Sequence, residues 1–192
     1  MVLHRRLPQA VLIVSTLIGS WLGMQAVHEL GHVAGAWATG GRVAKVVLHP
    51  LTISRTDLSQ NPRPLLVVWA GPVLGSLLPL CFWGAAASFR LRGAFLARFF
   101  AGFCLVANGA YIGGGSFARA GDCGEMLRHG SPIWTLWLFG ALSVTAGLAL
   151  WQGQGQHFGL RDSQGQVDPI AVWIAAVVCG VLIVLGLTVG GQ

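Results

Sequence analysis

Charged side chains are scarce in this chain: twelve Lys and Arg and six Asp and Glu stand among 192 residues, 9% in all. Soluble domains carry about 25%, and a soluble protein of this length could not cover its surface with so few. Hydrophobic residues make up 54% of the chain and gather in long runs, so lipid is the solvent for most of it. The cations are scattered singly and in pairs, with no block that would follow a phosphate backbone, and nucleic-acid binding is excluded on that ground. The net charge of +6 instead suits anionic headgroups at the ends of the apolar runs. The four cysteines (Cys81, Cys104, Cys123, Cys179) include no Cys-x-x-Cys pair and offer no disulfide framework. Three of them sit in or near apolar runs, where free Cys behaves as a small hydrophobe.

Five stretches approach the roughly 20 apolar residues that span a bilayer. They run from about Leu7 to Thr39, Pro64 to Ala87, Ala94 to Ile112, Pro132 to Trp151 and Pro169 to Val189. Glycine is frequent throughout, which suits close helix–helix approach in lipid, and Trp134, Trp137, Trp151 and Trp173 fall near predicted ends. The first run follows Arg5 and Arg6 in the manner of a secretory signal. Gly23-Met24-Gln25-Ala26 fits a cleavage point poorly, so the run is read as uncleaved. It is longer than one span needs, which predicts a strong tilt, a break near Gly19 or Gly23, or an end that projects into a watery cavity.

Gly40-Gly41 supplies a helix stop. From Arg42 to Asn61 the strand-prone Val43, Val46, Val47, Leu48, Leu51 and Ile53 predict one or two short strands at the interface. The expected fold is therefore an all-α polytopic membrane protein of about five transmembrane helices with a short β segment after the first. It forms a single domain, with a core over about residues 8–130 and extra C-terminal spans over about 132–189. Gly153 to Asp168 reads as a polar loop. Cations divide evenly between the two sides, six against six with Arg161 included, so charge counting gives no orientation.

Chemistry concentrates at His28-Glu29-Leu30-Gly31-His32. Residues four apart share a helix face, so the two imidazoles can address one cation, and zinc suits them. Glu29 follows the first histidine by one residue, which places its carboxylate beside a metal, where it can take a proton from a bound water. Gly31 keeps that face slim. A charged group within a span is costly and marks function, and Glu29 is the only acid between Leu7 and Thr39. Zinc needs a third protein ligand, and the remaining acids are Asp57, Asp122, Glu125, Asp162 and Asp168. Solvation explains Asp162 and Asp168, and Asp57 suits a turn. Asp122, between glycines in Gly121-Asp122-Cys123-Gly124-Glu125, is either a ligand or a helix cap paired with Glu125.

These motifs in this order resemble the site-2 protease family of intramembrane zinc metallopeptidases, in a minimal bacterial-type form. The family carries His-Glu-x-x-His in one span, Gly-Pro in the next and Asp-Gly in a later one, matched here by His28 to His32, Gly71-Pro72 and Asp122. The resemblance covers about Ala10 to Leu127. It implies a multi-pass protein of the bacterial cell (inner) membrane, one Zn²⁺ held by His28, His32 and Asp122, and Glu29 as general base. It also implies a membrane-embedded or membrane-anchored substrate, unwound and paired with the strand segment. Many members have Asn three residues after the Gly-Pro proline, where this chain has Gly75 followed by Ser76. Gly71, Pro72, Ser76 and Asn108 are thus the candidates for substrate handling. Asn108 either steadies a ligand, lines the cavity or makes an interhelical hydrogen bond. Cys123, directly after Asp122 where the family has glycine, is a possible competitor for the metal. His49 and His129 read as exposed interfacial residues. Two other uses of the same residues are a non-catalytic membrane scaffold that keeps the fold, and a small metal or proton transporter. The intact Glu29 opposes the first, and the lack of an internal repeat opposes the second.

Overall fold

The computed structural model describes residues 2–160 and 163–189. Arg161 and Asp162, counted above among the loop cations and acids, lie outside them. The chain runs α1 (Val2–Ala38), β1 (Arg42–Val47), β2 (Arg55–Gln60), α2 (Pro64–Ser88), α3 (Ala94–Ala118), α4 (Gly121–Arg128), α5 (Ile133–Trp151), a 3-10 turn (Gln154–Phe158) and α6 (Pro169–Val189). Five of these helices, all but α4, are long and apolar enough to cross a membrane, and β1 and β2 form an antiparallel hairpin. The expected polytopic helical fold with a short β segment after the first helix is what forms.

Two expectations about the helices change. The long first run does not break: α1 continues through Gly19 and Gly23, because both are contact points. A Cβ at Gly19 would stand 3.7 Å from Cys179 on α6, and one at Gly23 would stand 3.1 Å from the Phe100 ring. The third span is longer than Ala94 to Ile112, since the Gly113-Gly114-Gly115 run stays helical within α3. The small residues let α3 and α5 meet backbone to backbone. A Cβ at Gly140 would lie 2.8 Å from Gly113 Cα, and one at Gly109 would lie 2.8 Å from Ser143 Cβ. Close approach of this kind is how helices associate where apolar burial gives little drive.

α6 runs parallel to α1, and the far end of the pair is closed by a cluster of Leu12, Phe158, Ala171 and Ala175. Gln9 Nε2 ties α1 to the 3-10 turn, donating to the carbonyls of Phe158 at 3.0 Å and Gly159 at 2.9 Å. Trp134, Trp137 and Trp173 are exposed on the outer faces. Trp151 instead donates its indole N–H to the Phe99 carbonyl at 3.1 Å.

The short helix α4 matters most for the site. It caps a buried cluster made by Val68 of α2, Ile112 of α3, Leu136 of α5 and its own Cys123 and Met126. Full burial of an apolar side chain such as Met126 contributes about 1.5–3 kcal/mol, which fixes α4 against three spans. Gly124 allows the tight entry, because a Cβ there would strike the Arg119 carbonyl group.

Candidate metal centre

The helical spacing does what its period requires. His28 and His32 sit one turn apart on α1 with ring centroids 4.8 Å apart, and both are buried, at 7% and 8% exposure. α4 brings Asp122 to them from 94 residues away. Its Oδ2 lies 2.9 Å from His28 Nε2 and 3.3 Å from His32 Nε2, and the two Nε2 atoms are 3.1 Å apart. The capping reading of Asp122 does not describe this side chain. Ala120 is the N-cap residue, no side chain caps α4, and the Asp122 carboxylate points at the imidazoles.

The hydrogen bonds behind the two rings fix their tautomers. His32 Nδ1 faces the Val67 carbonyl at 2.9 Å, and a carbonyl can only accept, so Nδ1 carries the hydrogen. His28 Nδ1 faces Asn108 Oδ1 at 2.7 Å. Asn108 Nδ2 is already donating to the Cys104 carbonyl at 2.9 Å, which leaves the amide oxygen toward the histidine. In the neutral form both rings therefore present Nε2 lone pairs to each other and to a carboxylate. Three acceptors within 3.3 Å, with no donor among them, are resolved only by a cation or a proton. Oriented imidazoles of this kind are the usual support of a metal site.

The spacing also suits zinc. Ligand bonds of about 2.0–2.1 Å in tetrahedral geometry place ligand atoms about 3.3 Å apart, and the three distances here run from 2.9 to 3.3 Å. Protons answer to the same crowding. Burial alone would raise the Asp122 carboxyl, and the hydrogen bonds that His28 and His32 give it when a proton sits on Nε2 outweigh that and hold it well below the usual carboxylate range.

α2 builds the floor on which this rests. Gly31 of α1 and Gly71 of α2 let the two backbones touch, since a Cβ on Gly31 would stand 2.8 Å from Gly71 Cα. Gly71 also makes room for the His32 ring, three atoms of which a Cβ would strike. Pro72, fully buried, cannot donate to the carbonyl four residues back and weakens the helix at this turn, beside the Val67 carbonyl that holds His32. Gly75 packs against Asn108 and the backbone of His28. Ser76 is buried, its hydroxyl has no partner among the described residues, and it does not line the cleft. Asn108 does line it, and its contact with His28 is the interhelical hydrogen bond, joining α3 to α1.

Glu29 is 3% exposed and opens onto a cleft of about 1200 Å³ that also takes in His28, His32 and Asp122. Thr56 of β2 donates to Glu29 Oε2 at 2.7 Å, so the hairpin holds this carboxylate in place. The loop joining the two strands walls the cleft with Pro50 to Ser54, and Leu51 and Ile53 there are exposed. Cys123 turns away from the centre. Its thiol donates to the Tyr111 carbonyl at 3.3 Å, and burial, followed by the neighbouring Asp122 charge, pushes it up to about 11.

The other polar candidates do not join the donor set, although Asp57, Glu125 and His129 line the same cleft. Asp57 pairs with Arg55 at 3.2 Å, and Asp168 pairs with Arg92 at 3.1 Å. Glu125 pairs with Arg128 and with His129, the latter at 3.3 Å. His49 Nδ1 accepts the Leu51 N–H at 3.2 Å. Thr56 and Tyr111, both at the centre, carry no motif and were not among the residues singled out from the sequence. The one available signal was that Tyr111 follows Asn108 by a helical turn.

The five apolar helices are those of an integral, multi-pass membrane protein, and α1 and α4 bring together two histidines and a carboxylate that could hold a metal ion, with Glu29 adjacent. The chain belongs to the Peptidase M50B-like family, whose model matches residues 6–111, more than half of its 192 residues. This is the peptidase family of the resemblance drawn above. The match covers His28, Glu29, His32, Gly71, Pro72 and Asn108; Asp122 lies beyond it and joins the site by its geometry. Comparisons with curated proteins and with solved structures return no match.

Proposed function

We propose that the protein is an intramembrane zinc endopeptidase of the bacterial cell (inner) membrane, hydrolysing peptide bonds of membrane-embedded substrates. The observation that carries this reading is the arrangement of His28 Nε2, His32 Nε2 and Asp122 Oδ2, within 3.3 Å of one another, with Glu29 on the same helix facing the same cleft. These three residues would hold one Zn²⁺, which when bound lowers the pKa of a water to about 7 and polarises the scissile carbonyl.

Everything else falls to the chain. Glu29 takes the proton from the attacking water and passes it to the leaving nitrogen. Thr56 holds the Glu29 carboxylate at 2.7 Å so that it need not search for its position. Asn108 and Val67 keep both imidazoles in the ligating tautomer. Peptide bonds in a helix are shielded by their own hydrogen bonds, so the substrate span must unwind. The outer edge of the hairpin offers a strand to hold it extended.

The test uses the purified, zinc-loaded protein in liposomes with a peptide spanning the bilayer. The native chain should cleave it, and Glu29→Gln should bind one zinc and cleave nothing. Equal turnover by both proteins would remove the mechanism.

A further inference from the structure

The chain has a single tyrosine, and it stands at the centre. Tyr111 lies one turn beyond Asn108 on α3, so this helix braces both sides of the donor set, Asn108 at His28 and Tyr111 at Asp122. The Tyr111 hydroxyl accepts the Asp122 backbone N–H at 3.1 Å, and its ring meets His28 edge-on with centroids 5.9 Å apart. Gly121 preserves the arrangement. It has φ +56°, and a Cβ there would collide with the hydroxyl. A phenol oxygen that accepts one hydrogen bond still has its own hydrogen to give. No side chain or carbonyl among the described residues takes that hydrogen. The residue is 43% exposed and lines the cleft with Glu29 and Asp122.

We infer that Tyr111 is a catalytic residue, whose hydroxyl donates to the carbonyl oxygen of the scissile bond as negative charge gathers there. The inference rests on the proteolytic reading above. As the water oxygen bonds to the carbonyl carbon, its proton passes to Glu29 and the carbonyl π pair moves onto oxygen, where the Tyr111 O–H meets it. Return of that pair breaks the C–N bond, and the proton on Glu29 goes to the departing nitrogen. Tyr111 keeps its own proton throughout, so its contribution is electrostatic. The Asp122 N–H anchors the hydroxyl before substrate arrives, and a donor already in place needs no reorganisation as charge develops. Base and donor come from different helices, α1 and α3.

Tyr111→Phe keeps the ring beside His28 and removes the donor. In the zinc-loaded protein kcat should fall about 100-fold, with KM changed by less than about twofold. A phosphinic peptide, which mimics the tetrahedral anion, should bind correspondingly more weakly. Zinc affinity by chelator competition should be unchanged, as should binding of the amide peptide in a Glu29→Gln background. One further measurement needs no substitution at the site. 3-Fluorotyrosine labels this position alone, and its fluorine resonance should move when the phosphinic peptide binds. Unchanged kcat and phosphinic affinity in Tyr111→Phe would overturn the proposal, as would a resonance indifferent to the phosphinic peptide. Activity restored by saturating zinc would also overturn it, because Tyr111 would then only position Asp122. A native protein that neither cleaves peptide nor binds the phosphinic peptide would overturn the proteolytic reading itself, and this proposal with it.

Discussion

One methyl group added at Gly71 should displace His32, one of the three proposed zinc ligands. In most helices Gly→Ala gains about 1 kcal/mol, so propensity alone predicts a firmer α2. Here the new Cβ would stand 2.9 Å from Cδ2 of the His32 ring and closer still to Cε1 and Nε2, where ordinary carbon contacts are about 3.5–4.0 Å. The ring must retreat by about 1 Å to clear it, and metal–ligand distances tolerate only about 0.2 Å. Nε2 would then leave its place 3.1 Å from His28 Nε2 and 3.3 Å from Asp122 Oδ2. Losing a supporting partner behind a ligand already weakens metal binding about 10–100-fold, and moving the ligand itself should exceed the upper figure. Competition with a chromophoric chelator measures this directly. Gly75→Ala is the graded control, since its Cβ would meet Asn108 Nδ2 at 3.1 Å and His28 Cα at 3.3 Å, and a shift of a few tenths of an ångström relieves it. In a His32→Ala background Gly71→Ala has no ring to strike, so helix propensity should prevail and thermal stability should rise. Gly71→Ala with native zinc affinity, or an equal loss of stability in both backgrounds, would refute the reasoning.

Three further outcomes are expected. Asn108→Leu removes the acceptor that holds His28 Nδ1–H and should weaken zinc binding about 10–100-fold, read by the same chelator competition. Thr56→Val keeps the shape of the side chain but frees the Glu29 carboxylate, so kcat should fall roughly tenfold while one zinc stays bound, as metal analysis beside peptide cleavage would show. Protons compete for both Nε2 atoms and the Asp122 carboxylate, so zinc affinity should fall as pH is lowered; isothermal titration at several pH values gives the slope, and a flat profile would contradict the donor set.

Much of this was legible from residues alone, and the limits follow from how far apart the partners are. Two histidines at i and i+4 with an acid between them are a local pattern, set by the helical period. A charge-poor chain also makes each acid count, which is why Asp122 stood out without any knowledge of where α4 would dock. The partners that orient the centre gave no such signal. Asn108 lies 80 residues from His28 and Thr56 lies 27 from Glu29, and neither contact leaves a spacing in the sequence. Glycine was legible only as a type. The run at Gly113 looked like the end of a span, yet it stays helical because α5 presses Gly140 against it. Ser76 was singled out beside the missing family asparagine, but its position on α2 turns it away from the cleft.

The central claim is that two imidazoles and one carboxylate hold a single zinc, and X-ray absorption on the metal-loaded protein tests it most directly. The account predicts one zinc per chain with only nitrogen and oxygen neighbours at about 2.0–2.2 Å, and loss of bound zinc when Asp122 is replaced by Ala. A sulfur neighbour at about 2.3 Å would hand the third position to Cys123, and a protein that takes up no zinc would contradict the site altogether.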